Sequence, residues 1–231
     1  MIEAIGLTKI YNEQVALDNL HLTVQGGETF CLLGQNGAGK TTTINLFLGF
    51  ITPSAGKALI NGKQVKLNNA DTRRHIAYIP EIVMLYGNLT SVENLDFFSR
   101  IAGYKYSPAQ LEEYLFLAGL QPTAFHQRLG CHSKGMRQKV GIAIAMAKNA
   151  DVIFMDEPTS GLDPKATREF TDIVKALSRK GKAIIMATHD IFNAVEIGTR
   201  IGIMKQGQLV HTMPTDAISA TDLQQLYLET I

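Results

Sequence analysis

The sequence predicts an α/β protein, with a mainly parallel sheet, an antiparallel β unit ahead of it and a helical segment set into it. Three observations lead there. Between Thr29 and Leu48 an apolar strand runs straight into a glycine-rich loop and then an amphipathic helix. From Val152 onward short apolar strands alternate with helical stretches, the pattern of a sheet covered on both faces. In the middle third, about 82–150, strand signals stop and helix-period segments take over.

A chain of 231 residues suits one domain carrying a subdomain. Its expected division is an α/β core with the antiparallel β subdomain from 1–80 and 151–231, and a helical subdomain at about 82–150. With 22 basic and 21 acidic residues the formal net charge is +1, which gives no general electrostatic case for nucleic acid. The longest apolar runs, Gly141 to Ala147 and Ala183 to Ala187, fall well short of the roughly 20 residues a bilayer crossing needs. Met1-Ile2-Glu3-Ala4 lacks a basic start and a long apolar run, so no secretory signal is expected. The two cysteines, Cys31 and Cys131, suit a reducing compartment better than a disulfide framework.

In chain order, Ile2 to Ile10 and Val15 to Val24 read as strands joined by the turn Tyr11 to Gln14. Phe30 to Leu33 is a buried strand and a helix opens at about Gly39. Thr52-Pro53-Ser54-Ala55-Gly56 breaks the chain before a strand at Lys57 to Ile60, and Ile76 to Ile79 is a short strand stopped by Pro80. Helices are expected over Ser91 to Ala102, Pro108 to Ala118 and Lys134 to Lys148, with Ser91 and Ser107 as N-caps. Strand Val152 to Met155, helix Pro164 to Arg179, strand Lys182 to Ala187 and helix Ile191 to Ile197 follow. A hairpin of Ile201 to Met204 with Gln208 to His211 and a helical tail from Asp216 complete the chain.

The chemistry starts at Gly34-Gln35-Asn36-Gly37-Ala38-Gly39-Lys40-Thr41-Thr42. Gly34, Gly37 and Gly39 let backbone N–H groups converge on phosphate oxygens, above the positive end of the following helix. Lys40 is placed for the β and γ phosphates and the Thr41 hydroxyl for Mg²⁺. Val152 to Met155 ends in Asp156-Glu157; Asp156 suits a metal through its water shell and Glu157 suits the attacking water. His189, at another strand end, can hydrogen-bond a γ-phosphate. Tyr11 is either a platform for a nucleobase or an ordinary hairpin aromatic. The remaining histidines, His21, His75, His126, His132 and His211, read as capping or packing residues.

Taken together these stretches resemble the ATPase subunit of an ABC transporter, over essentially the whole chain. The family's motifs occur in order: Tyr11, the phosphate loop Gly34 to Thr41, a Q-loop position at Glu81, a signature at Ser133 to Met136, Asp156 and Glu157, the D-loop Ser160 to Asp163, and the switch histidine His189. The resemblance implies a P-loop NTPase core and ATP with Mg²⁺ as cofactors. It implies Lys40, Glu157 and His189 as catalytic residues, and Thr41, Glu81 and Asp156 as the metal's residues. The nucleotide's residues would be Tyr11, Gly34 to Thr42, Ser133 and Gly135. Two copies are expected head to tail, with ATP between the loop of one and Ser133 to Gly135 of the other. An integral membrane permease subunit is the implied partner, which puts the chain at the cytoplasmic face of a membrane, with no nucleic acid expected. Ile82 to Leu95, with Leu85, Tyr86 and Leu89 expected to be exposed, is the segment expected to dock there, the alternative being that it fills the helical subdomain's core.

Two departures from the family pattern stand out. Where the signature is usually Leu-Ser-Gly-Gly-Gln, the chain has His132-Ser133-Lys134-Gly135-Met136, a variant similar to the ABC-2 type branch, and that tilts the expectation towards export. Glu81 stands where glutamine is usual. Replacing it by glutamine is expected to keep ATPase activity and change its Mg²⁺ dependence. The alternatives are a non-transport ABC ATPase acting on nucleic acid or ribosomes, a phosphate-loop kinase of small metabolites, and a regulatory subunit of little turnover. A kinase leaves Ser133 to Met136, Asp163 and His189 without a role.

Overall fold

The computed structural model describes residues 1–67 and 69–231. Strand β1 (Ile2–Tyr11) pairs antiparallel with β2 (Gln14–Val24) across a tight turn in which Asn12 and Glu13 both take positive φ, as a twisted hairpin requires. On its other edge β1 takes β4 (Ala55–Ile60), extended by β5 (Lys63–Gln64), giving a four-stranded sheet ordered β2-β1-β4-β5. The second sheet is six-stranded. It contains β3 (Thr29–Leu33), β6 (Ile76–Ile79), β7 (Val152–Asp156), β8 (Ala183–Thr188), β9 (Arg200–Lys205) and β10 (Gln208–Pro214), ordered β10-β9-β3-β8-β7-β6. Every pair in it is parallel except β9–β10.

The central strands are buried on both faces because each face has its own core. Along β3, Cys31 and Leu33 enter one cluster while Phe30 and Leu32 enter the other, the two-residue alternation of a strand. Ile153 and Met155 separate from Val152 and Phe154 in the same way on β7. The antiparallel sheet and helix α1 (Lys40–Leu48) cover one face, where the rings of Phe47 and Phe154 stack at 5.4 Å. The other face is covered by α3 (Ser91–Ile101), α4 (Pro108–Leu117), α5 (Lys134–Ala147), α6 (Pro164–Arg179), α7 (Ile191–Ile197) and α8 (Ala220–Thr230). Helices α3 to α5 lie between β6 and β7 in the chain and share this buried cluster with the sheet.

Three expectations need correction. The N-cap of α3 is Thr90, one residue before Ser91: its hydroxyl accepts from Glu93 N–H, and the Glu93 carboxylate accepts from Thr90 N–H. This reciprocal pair satisfies two otherwise free helix donors, whereas Ser91 is buried and donates to the Ala124 carbonyl. A short helix α2 (Ala70–Arg73) and the strand β5 were not expected at all. Finally, Leu85 and Leu89 are half-buried, with Leu85 packed against the main cluster. The exposed apolar side chains of that segment are Ile82, Met84 and Tyr86.

Candidate nucleotide site

The glycine-rich loop joins β3 to α1, and Gly39 is the N-cap of that helix with φ 107. A Cβ there would lie 2.8 Å from the Ala16 carbonyl oxygen, so both backbone angle and space require glycine. The loop is closed by Ala38 N–H to Gln35 O (3.1 Å) and tied to the β9–β10 turn by Gly207 N–H to Ala38 O (3.0 Å). Lys40 begins the helix and is buried. Its Nζ curls back to donate to the carbonyls of Gly34 (2.5 Å) and Gln35 (3.2 Å). Burial holds the ammonium below the ordinary lysine value, against the pull of Glu157 and Asp156. A buried cation whose bonds go to loop carbonyls is poised to exchange them for phosphate oxygens.

The end of β7 supplies the acids. The Thr41 hydroxyl donates to Asp156 Oδ2 at 3.0 Å. Burial, opposed by that hydrogen bond, raises the Asp156 carboxyl above its ordinary value. Glu157 takes the left-handed conformation, φ 45, and its N–H bonds the Ala187 carbonyl of β8. A non-glycine residue there costs of order 1–3 kcal/mol and is a recurrent feature of functional turns. Its carboxylate sits between Lys40, with Oε1 4.0 Å from Nζ, and His189, with Oε2 2.9 Å from Nδ1. His189 is positioned by the start of α7, where Asp190 caps the helix through Asn193 N–H.

A cavity of about 570 Å³ opens over these groups, lined among others by Tyr11, Gly37, Lys40, Thr41, Glu81, Asp156 and Glu157. Tyr11 is exposed on its rim, with Lys9 Nζ 4.8 Å from the ring centroid and anchored to the Thr52 carbonyl. Ser133 and Gly135 do not reach it. They line a separate cavity of about 250 Å³ with Lys134, Gly161, Leu162 and Asp163. There the Ser133 oxygen caps α5 by accepting from Met136 N–H. Residues that motif reading did not single out hold the loops together. Buried Gln138 donates to the carbonyls of Pro80, Glu81 and Pro158, and Asn193 bridges Thr159 and Thr171. Both contacts are long-range in sequence, so only their amide character was visible there.

Among the described residues no group of three or more His, Cys, Asp or Glu is arranged to hold a metal alone. The Thr41–Asp156 pair fits a magnesium ion that takes its other ligands from nucleotide phosphates and water, the usual mode for that ion.

The fold and the site define a phosphate-loop nucleotide-binding protein. Comparison with known proteins narrows the class. The ABC transporter family profile matches residues 17–160. The bacitracin transport ATP-binding protein BcrA of Bacillus licheniformis is 34% identical over 227 residues, 98% of this chain and 74% of that protein. The "Probable multidrug ABC transporter ATP-binding protein YbhF" of Escherichia coli K12 is 35% identical over 95% of this chain, which spans 38% of YbhF. A solved ATP-binding subunit of an ABC transporter superposes with a TM-score of 0.86 at 31% identity, over 99% of this chain and 98% of that one. A dimeric ATP-binding cassette, MJ0796, bound to ADP and Pi in a post-hydrolysis state, gives 0.83 at 27% identity, over 93% and 99%. The chain belongs to the ABC transporter family.

Proposed function

We propose that this chain is the ATP-binding and ATP-hydrolysing subunit of an ABC exporter. The observation that carries the reading is one contiguous arrangement: the Glu157 carboxylate between Lys40 and His189, beside the Thr41–Asp156 pair, in a cavity with Tyr11 on its rim. Lys40 and the loop N–H groups bind the phosphates and stabilise charge that develops on them. Glu157 accepts a proton from, and orients, the water in line with the γ-phosphorus, while His189 holds the second carboxylate oxygen. Thr41 and Asp156, with Glu81 on the cavity rim, would hold magnesium, which when bound neutralises charge on the β and γ oxygens. Tyr11 offers a face to the base, and Lys9 beneath the ring strengthens it as a platform.

The split between the two cavities supports a dimer. Ser133 and Gly135 complete a nucleotide site only if a second copy brings them, and the solved cassette named above is dimeric. ATP then favours closure and hydrolysis releases it. Export is supported by the Ser-Lys-Gly-Met signature and is compatible with the bacitracin transport and probable multidrug transport for which BcrA and YbhF are named. Among the described residues no helix is long and apolar enough to cross a membrane; on the family resemblance we assign the pathway to a permease subunit and this chain to the membrane's cytoplasmic face. An apolar groove between the core and the inserted helices, lined by Leu48, Phe50, Tyr78, Phe98, Ile101 and Ile144, suits that subunit's apolar segment. Tyr86 extends it, its ring stacked 6.1 Å from Phe98.

The test is phosphate release from ATP by the purified chain, combined with affinity purification from detergent-solubilised membranes and identification of what comes with it. Free phosphate and a multi-spanning partner are expected. A phosphorylated small-molecule acceptor, or ribosomal or DNA-bound partners in place of a membrane protein, would overturn the reading.

A further inference from the structure

Two of the positions at which the chain departs from its family pattern, Glu81 and Lys134, meet in space. Glu81 follows β6 and Lys134 opens α5, yet Lys134 Nζ lies 3.9 Å from Glu81 Oε1. The same oxygen accepts from the Ser160 hydroxyl at 3.0 Å, in the loop after Glu157. Gln138, one turn along α5 from Lys134, ties the backbone of that region together by donating to the carbonyls of Glu81 (3.1 Å) and Pro158 (3.2 Å). Lys134 also lies across Gly161, where a Cβ would stand 3.6 Å from Nζ. One carboxylate oxygen therefore links three loops: the one beside the nucleotide cavity, the one carrying Ser160 and Gly161, and the signature turn.

We propose that Glu81 and Lys134 form an intrachain charge latch, with Ser160 as its third member, that registers the signature turn Ser133 to Gly135 to the loop following Glu157. An exposed pair of this kind is worth little as a stabiliser; both side chains are more than a third exposed. What it fixes is position. With glycine and glutamine at these two places there would be no charge pair, and this link between the turn and the two loops would be lost. The latch makes the surface offered to a second copy's nucleotide depend on the same carboxylate that borders this copy's own nucleotide cavity. Glu81 and Lys134 are positioning residues in this scheme. The inference rests on the ATPase reading for its consequence and on the loop contacts for its existence.

Hydrogen exchange of the nucleotide-free, full-length chain tests the latch without requiring any activity. Glu81→Gln and Lys134→Met are each expected to speed amide exchange about threefold in residues 133–137 and 159–163. The double variant should go no further than either single one, since coupled residues are non-additive. Lys134→Arg should keep wild-type protection, and the charge swap Glu81→Lys with Lys134→Glu should restore it. Unchanged exchange in Lys134→Met, or additive effects without rescue by the swap, would overturn the proposal. Sedimentation with Mg²⁺ and ATP in a Glu157→Gln background adds the functional arm, in which Lys134→Met should weaken dimer formation about threefold. If even the parent fails to dimerise, the ATPase reading is what fails, and the exchange data still decide the latch.

Discussion

Lys40 and Glu157 lie within 4.0 Å of each other yet neither is spent on the other, because Lys40 is bonded to loop carbonyls and Glu157 to His189. In the mechanism proposed above, that arrangement leaves Glu157 available to the attacking water. Glu157→Gln keeps the shape and loses the base. It is expected to lower kcat by about 10²- to 10⁴-fold while ATP still binds, measured by phosphate release and nucleotide titration. His132 carries a second prediction at this scale. The buried ring meets Ser91 Oγ at 2.8 Å through Nε2, and its Nδ1 has no partner among the described residues. Because Ser91 donates to Ala124, Nε2–H donates to Ser91, and protonation would add an unpaired N–H at Nδ1. Burial accordingly holds this histidine below its ordinary value of 6.5, helped by Arg137 and opposed by the Ala124 carbonyl. The sign follows: the neutral folded form is fully stable above 6.5, and stability falls as the pH drops through that value toward the lowered folded one. His132→Leu should flatten the acid side of a melting-temperature profile between pH 8 and 5 relative to the wild type. Parallel profiles for the two proteins would count against the assignment.

At the scale of elements, the helix that opens the inserted region depends on its capping box. Thr90→Ala removes the hydroxyl that accepts from Glu93 N–H and should cost about 1 kcal/mol in urea unfolding; Ser91→Ala should also destabilise, by about 1–3 kcal/mol, for a different reason, since it leaves the buried His132 N–H and the Ala124 carbonyl without their partner. Seen from the sequence, Ser91 was the more obvious cap because it directly precedes the apolar periodicity; the Thr-Ser-Val-Glu spacing is the signal that favours Thr90. Strands β3, β7 and β8 were legible because burial on both faces leaves them as unbroken apolar runs. The phosphate loop, the paired acids and His189 were legible because their spacing is local. Helix α2, four residues long, is too short to carry a period. The bonds of Gln138 and Asn193, and the approach of Lys134 to Glu81, join residues far apart in the chain, where no local pattern can announce them.

For the whole molecule, the groove between the core and α3–α5 sits on a different surface from the nucleotide cavity; among the described residues no lining residue is common to the two. Phe50 and Ile101 are 57% and 68% exposed there, on opposite sides of the boundary between α1 and the inserted helices. If a permease segment fills that groove, it touches both parts of the chain at once, and closure around ATP is felt by the membrane subunit through it. Phe50→Asp combined with Ile101→Asp puts two charges against that segment while removing little buried area, so stability should change by no more than about 1 kcal/mol. The isolated double variant should hydrolyse ATP at the wild-type rate. Its yield of co-purified membrane protein from solubilised membranes should fall about tenfold, the effect of desolvating charge against an apolar contact. An unchanged yield would move the docking surface elsewhere, and loss of ATPase activity in the isolated variant would mean that the groove is needed for the fold of the site itself.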